Sequence, residues 1–248
     1  MKPKVIVLKA EGTNRDEEMA FAFKTAGGDP EIVHVNELRS GKKKLSSYQV
    51  LALPGGFAYG DDIVSGKILA IELTSFLEED LSRFISRKNT AIIGVCNGFQ
   101  VLVRTGLLPF RKIGGLDVTL TNNDSGHFEC RWINMKAEKS ACKFTSGLQD
   151  RNLCYPIAHG EGKFFTDGKT LKELEEKGLV VFRYIDNPNG SLNSIGGICD
   201  PTGRILGLMP HPECFVRREQ HPNWRRGKVE IDGLPLFENI VKFVKGAK

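Results

Sequence analysis

Short, wholly apolar runs rich in β-branched residues recur along this chain, each stopping at a glycine, proline or polar turn. Lys4–Leu8 reads K-V-I-V-L, Tyr48–Leu53 closes on Pro54-Gly55-Gly56, and Thr90–Val95 reads T-A-I-I-G-V. A strand with one wet face alternates polar and apolar residues, whereas unbroken apolar runs of this length suit parallel strands buried on both faces. Ile32–Val35 is a further strand. Helical patterns lie between them. One has Asn14 as its cap and runs through Met19, Ala22 and Phe23 to Gly27-Gly28. A long one covers Ile68–Ser86, and another runs from Asn97 to Thr105. Strand, helix and strand in alternation give a mostly parallel α/β sheet with helices on both faces. The second half adds strands at Leu116–Thr121, Phe128–Lys136, Leu179–Tyr184, Ile195–Cys199 and Ile205–Leu208. A C-terminal helix carries Leu236, Phe237, Ile240, Val241 and Val244 on its buried face. No repeat or linker divides the chain, so residues 1–248 are expected to form a single domain.

In such a fold, ligands bind outside the carboxyl ends of the strands. Cys96 stands at one of these ends, in Ile93-Gly94-Val95-Cys96-Asn97-Gly98-Phe99-Gln100. Small neighbours at a strand-to-helix turn allow a strained elbow that exposes one side chain. A helix N-terminus there stabilises a thiolate, and its N–H groups can receive an oxyanion. A buried structural cysteine is the competing reading, and it is preferred for Cys130, Cys142, Cys154 and Cys199, which lack the turn.

A thiol nucleophile needs a base, and the base needs an orienting partner. The chain has 5 histidines. His211 follows the strand Ile205–Leu208 and is flanked by Pro210 and Pro212, with Glu213 two residues on. An extended H-P-E stretch would aim positions 211 and 213 to one side. Alone this could be a polar turn; beside the cysteine elbow, a Cys96–His211–Glu213 triad is favoured. His159, in a glycine-flanked loop, is the competing base, with a substrate-side or partner-side role preferred. His127 is a candidate for the substrate pocket. Gly55-Gly56 after the third strand can bring backbone N–H groups close to a ligand as an oxyanion donor. The stretch lacks both the dinucleotide glycine pattern and the P-loop lysine, which speaks against a nucleotide.

Gly-x-Cys-x-Gly-x-Gln after a strand, Pro-Gly-Gly upstream and His-Pro-Glu downstream resemble the class I glutamine amidotransferases. Residues 54–61 (P-G-G-F-A-Y-G-D), 94–100 (G-V-C-N-G-F-Q) and 123–132 (N-D-S-G-H-F-E-C-R-W) are similar, more narrowly, to the amidotransferase subunits of phosphoribosylformylglycinamidine synthase. The resemblance spans nearly the whole chain. It implies a flavodoxin-like amidotransferase fold, with Cys96 as nucleophile and His211 and Glu213 completing the triad. The N–H groups of Gly56 and Asn97 would form the oxyanion hole. Gln100 and the backbone around Ser125, His127 and Phe128 would hold L-glutamine. It further implies a partner synthetase subunit that binds ATP and Mg and accepts ammonia, plus a small accessory subunit. Cys214, His127 and Val64 stand where the family usually has arginine, and none of these departures touches the triad.

Composition excludes little more. The chain of 248 residues is 40% hydrophobic and 26% charged, with net charge +5. Its basic clusters, Lys42-Lys43-Lys44, Arg217-Arg218 and Arg225-Arg226, read as solvated loops or as a contact for an acidic partner. They lack the broad face and interleaved aromatics of a nucleic-acid binder. The 6 cysteines form no C-x-x-C pair, so no metal is expected. No signal peptide or membrane-length run is apparent, and a cytoplasmic location with reduced thiols is expected. Competing readings are the amidotransferase of a different synthetase, a binding-only subunit, and a cysteine-based stress protein or peptidase. The last places histidine close after the cysteine, and residue 97 here is asparagine.

Overall fold

The structure, a computed structural model, describes residues 1–149, 151–227 and 229–246. In chain order the elements are β1 (Lys4–Lys9), α1 (Asp16–Thr25), β2 (Asp29–His34), α2 (Val35–Arg39), β3 (Val50–Leu53), α3 (Lys67–Ser75), α4 (Glu78–Ser86), β4 (Ala91–Val95) and α5 (Asn97–Arg104). The second half contributes β5 (Val118–Thr121), β6 (Glu129–Ala137), β7 (Asn152–His159), β8 (Lys163–Thr166), α6 (Gly168–Glu176), β9 (Val180–Tyr184), β10 (Ile195–Cys199), β11 (Ile205–Leu208) and α7 (Leu234–Gly246).

A 9-stranded sheet runs in the order β2-β1-β3-β4-β11-β10-β9-β6-β7, with β5 and β8 as a separate 2-stranded ribbon. The strands from β2 to β11 pair in parallel. From β11 outward to β7 the pairing is antiparallel. This is the α/β fold with extra strands that the apolar runs imply. β1, β3, β4 and β11 are buried almost end to end, which is why their sequences show no alternation. The chain steps one way from β1 to β2 and the other way from β3 to β4. With right-handed crossovers this puts the intervening helices on opposite faces. α1 packs with α7 on the one hand, and α3 with α4 and α5 on the other. Phe23 meets Phe237 edge-on at 5.0 Å where α1 and α7 touch.

Two local expectations are corrected. The helix expected over Ile68–Ser86 is broken at Phe76-Leu77 into α3 and α4. Thr74 turns its hydroxyl back on the Ala70 and Ile71 carbonyls, a bond that competes with helix propagation. Glu78, Glu79 and Asp80 then favour a new N-terminus through the helix dipole. Asn14 does not cap α1. Arg15 holds the N-cap position without a side-chain bond, and the acidic first turn, Asp16, Glu17 and Glu18, supplies the favourable charge. β7, β8 and α6 complete the second half. α6 has a capped start, with Asp167 accepting from Lys169 N and Thr170 N.

No helix among the described residues is long and apolar enough to cross a membrane.

Candidate active site

Three neighbouring parallel strands deliver the site. β3 pairs with β4, and β4 with β11, so their carboxyl ends share one rim. Gly55-Gly56 follows β3, Cys96 follows β4, and His211 comes three residues after Leu208 of β11.

Cys96 has φ 50 and ψ −108, a conformation L-residues rarely adopt, immediately before α5. The turn is enforced by close backbone packing. A Cβ at Gly94 would lie 2.4 Å from the Gly98 carbonyl oxygen, and one at Gly98 would lie 2.0 Å from the Leu53 carbonyl oxygen. Only glycines allow α5 to start this close to β3 and β4. The Cys96 side chain is buried, with Sγ 3.5 Å from the Ala158 carbonyl oxygen.

His211 is held by its own N–H, which donates to the Pro156 carbonyl at 2.9 Å. Its Nδ1 lies 2.6 Å from Glu213 Oε1, and both residues are buried. Residues 211–213 are not extended as expected. Pro212–Phe215 form a 3-10 turn, and that turn folds Glu213 back onto the imidazole. Burial pulls the His211 pKa down, but the Glu213 carboxylate and then Cys96 outweigh it, and the imidazole is pushed up to about 10. With Nδ1 committed to Glu213, His211 Nε2 and Glu213 Oε2 are buried without a hydrogen-bond partner among the described residues. Buried polar atoms are rarely left so.

His211, Glu213 and Cys214 each offer a ligand atom within 4.8 Å of the others. The 2.6 Å separation of His211 and Glu213 is too short for an ion between them, because metal–ligand bonds of about 2 Å on each side would hold the two atoms farther apart.

Gly56, at φ 135, sits between two anchored neighbours: the Gly55 carbonyl accepts from Arg15 N, and Phe57 N donates to Gly12 O. A Cβ at Gly55 would lie 2.7 Å from His211 Cε1, so this loop packs directly on the imidazole. The Asn97 N–H belongs to the first turn of α5, where no intrahelical acceptor exists. The Asn97 side chain braces the loop after Gly56: Nδ2 donates to Asp61 Oδ1 at 3.0 Å and to Gln100 Oε1 at 3.1 Å. Gln100 is buried, and its Nε2 donates to the Glu161 carbonyl at 2.7 Å.

Ser125, His127 and Phe128 lie on the exposed loop between β5 and β6. Phe128 reaches over the glycine loop, its ring 6.2 Å from that of Phe57. Of the candidate pocket residues on this loop, Phe128 is the one in contact with the glycine loop, while Ser125 and His127 are exposed beside it. Two neighbours went unrecognised in the sequence. Asn123 ties this loop to β7, its Nδ2 donating to the His127 and His159 carbonyls. Asp61 anchors Asn97 and accepts from Ser65 Oγ, while burial raises its pKa. Both lie inside the stretches 123–132 and 54–61 that carry the family resemblance. His159 also differs from expectation. It is the last residue of β7 rather than part of a loop, and it is buried.

Residues 2–244 match the CobB/CobQ-like glutamine amidotransferase domain, the class that this strand-end cysteine site and fold define. The chain is 45% identical to phosphoribosylformylglycinamidine synthase subunit PurQ of Dehalococcoides mccartyi, over 98% of each chain. It is 42% identical to the subunit of the same name from Methanococcus maripaludis, over 99% of this chain and 96% of the other. A chain of the solved structure of PurLQS from Thermotoga maritima superposes with a TM-score of 0.78 at 30% identity, over 98% and 99% of the two chains. The chain belongs to the glutamine amidotransferase family of phosphoribosylformylglycinamidine synthase PurQ subunits. Its fold extends to a glutamine amidotransferase of Thermotoga maritima at 18% identity and a TM-score of 0.53.

Proposed function

We propose that this chain, as one amidotransferase domain over residues 1–248, hydrolyses L-glutamine and passes ammonia to a synthetase subunit. That synthetase converts formylglycinamide ribonucleotide to formylglycinamidine ribonucleotide in de novo purine synthesis. The observation that carries the catalytic part is the buried His211 imidazole, its Nδ1 fixed by Glu213 at 2.6 Å and its charged form favoured by Glu213 and Cys96. The pathway rests on full-length kinship with subunits that bear that synthase's name.

In this reading the thiolate of Cys96 attacks the side-chain amide of glutamine. The N–H groups of Gly56 and Asn97 take the developing oxyanion, each worth about 2.7–4 kcal/mol in such a site. His211 delivers its proton to the departing nitrogen, and Glu213 keeps the imidazole in the donating orientation. Ammonia leaves, and water activated by His211 then releases glutamate from the thioester at Cys96. Gln100 and the loop of Ser125, His127 and Phe128 hold the α-amino and carboxylate groups of glutamine. This chain needs no cofactor or metal for these steps. ATP and Mg belong to the synthetase partner, and a small accessory subunit completes the assembly. The location is the cytoplasm.

The test is glutamate release by the purified chain, with and without the synthetase, ATP and formylglycinamide ribonucleotide. Strong stimulation by the complete mixture, abolished in Cys96→Ser, is the expected result. Glutaminase activity indifferent to that synthetase would reassign the pathway. Undiminished activity in Cys96→Ser would sink the nucleophile.

A further inference from the structure

His159 is a buried imidazole that the steps above leave unused. Its ring is fixed on two sides. On one, it lies flat against Gly162, where a Cβ would come within 2.3 Å of Nδ1. On the other, Nδ1 lies 3.1 Å from Asn123 Oδ1. The orientation of the Asn123 amide follows from its remaining bonds. Its Nδ2 donates to the carbonyls of His127 and His159, and its Oδ1 accepts the Gly162 N–H at 3.2 Å. Oδ1 therefore faces His159, so Nδ1 must carry the proton. Nε2 is left as a bare lone pair, buried and without a donor among the described residues.

β7 runs past the reacting atoms, with His159 one residue beyond its contact with Cys96. The carbonyl of Ala158, the residue before His159, touches Cys96 Sγ at 3.5 Å, and that of Pro156 holds His211 N at 2.9 Å. His211 and His159 thus each keep one buried ring nitrogen outside the hydrogen bond that fixes the ring. Burial first, and then repulsion from His211, press the His159 pKa down to about 4, while the His211 pKa is driven up. This favours the doubly protonated ring at His211 and the neutral ring, with a bare Nε2, at His159. Pairs pushed apart in this way mark separate roles in proton chemistry.

We propose that His159 Nε2 accepts a hydrogen bond from the amide nitrogen of glutamine, holding that nitrogen as it departs as ammonia. This rests on Cys96 being the nucleophile. The departing nitrogen gains a proton from His211 and needs acceptors for its own N–H bonds. His159 supplies one. The role applies only to a leaving group that bears N–H, which makes it separable from general damage to the site.

The experiment compares glutamine with glutamate γ-methyl ester, whose leaving oxygen carries no N–H, using the chain in complex with its synthetase. In His159→Leu the ratio of kcat/KM for glutamine to that for the ester is expected to fall about tenfold, the effect of losing one hydrogen bond to a developing product. His159→Asn keeps an acceptor and is expected to fall between Leu and wild type; if the Leu variant does not fold, the Asn ratio decides alone. An equal fall on both substrates, or no fall on either, would overturn the proposal. Ester and glutamine hydrolysis that survive Cys96→Ala would instead remove the reading on which it rests.

Discussion

The Cys96 N–H donates to the Leu208 carbonyl at 2.8 Å, so the last rung of the β4–β11 ladder is made by the proposed nucleophile itself. Val95 and Leu208 are register partners directly before it. The strand carrying the cysteine and the strand leading to His211 are thereby locked in phase. One residue of slip would carry Cys96 out of reach of the imidazole.

The elbow holds Cys96 at φ 50 against its own Cβ. Glycine at this position relieves the strain, and alanine does not. Cys96→Gly is expected to be more stable than Cys96→Ala by about 1 kcal/mol, with both inactive. Urea denaturation of the two variants measures this; greater stability in the alanine variant would count against a strained elbow.

Two glycines of the rim should respond differently to alanine. At Gly98 the new methyl would meet backbone, the Leu53 carbonyl oxygen at 2.0 Å, so β3 and α5 must separate. A loss of more than about 3 kcal/mol is expected. At Gly55 the methyl would meet side chains rather than backbone, the His211 ring at 2.7 Å from Cε1 and Arg15 Cγ at 3.5 Å. A smaller loss of about 1–3 kcal/mol is expected. The displaced imidazole should nonetheless cost glutaminase activity about 10²-fold. Thermal midpoints and glutamate release, measured on the same preparations, check both.

Glu213 exerts the strongest upward pull on His211, opposing the effect of burial. Glu213→Gln keeps the shape and removes the charge. Glutaminase activity is expected to fall by roughly 10²–10⁴, as when other triads lose their carboxylate. The imidazolium should also lose its proton at lower pH, so the alkaline limb of the rate profile moves toward neutrality. An unchanged limb would mean that Glu213 does not set the charge of His211.

His159 and His211 tie stability to pH in opposite directions. The folded-state pKa of His159 is about 4, below an unfolded value of about 6.5, so its contribution is intact above that value and is lost as pH falls toward 4. That of His211 is about 10, so its contribution is intact below about 6.5 and lost as pH rises toward 10. Between pH 6.5 and 4 only His159 of the two changes its contribution, by at most about 3 kcal/mol. Denaturant midpoints at pH 7 and pH 5 should therefore converge in His159→Asn relative to the parent chain. A parent and variant with parallel pH dependence would contradict the buried neutral ring.

Much of this was legible in the residues. Unbroken apolar runs such as K-V-I-V-L and T-A-I-I-G-V are what strands buried on both faces must look like, and they fixed the α/β class. The elbow around Cys96 was readable because few residues other than glycine tolerate such close backbone, and His-Pro-Glu because a nucleophile needs a base and an orienter. What escaped were local choices that the residue pattern leaves open. The break at Phe76-Leu77 came from Thr74 bonding backward against an otherwise continuous helical pattern. The 3-10 turn after His211 replaced an extended stretch that local propensity equally allowed.

Sequence by itself therefore determined the strand class, the turn at the proposed nucleophile and the partners such a nucleophile would require, because these depend on residue type and local spacing. Only the tertiary structure decided that β7 returns to lay Pro156 and Ala158 against His211 and Cys96. Only there is His159 a buried strand residue rather than a loop histidine. No local pattern encodes that return. It follows from antiparallel pairing of β6 with β7 far from Cys96 in the chain, and such pairing is selected by the burial of the whole sheet rather than by any one segment.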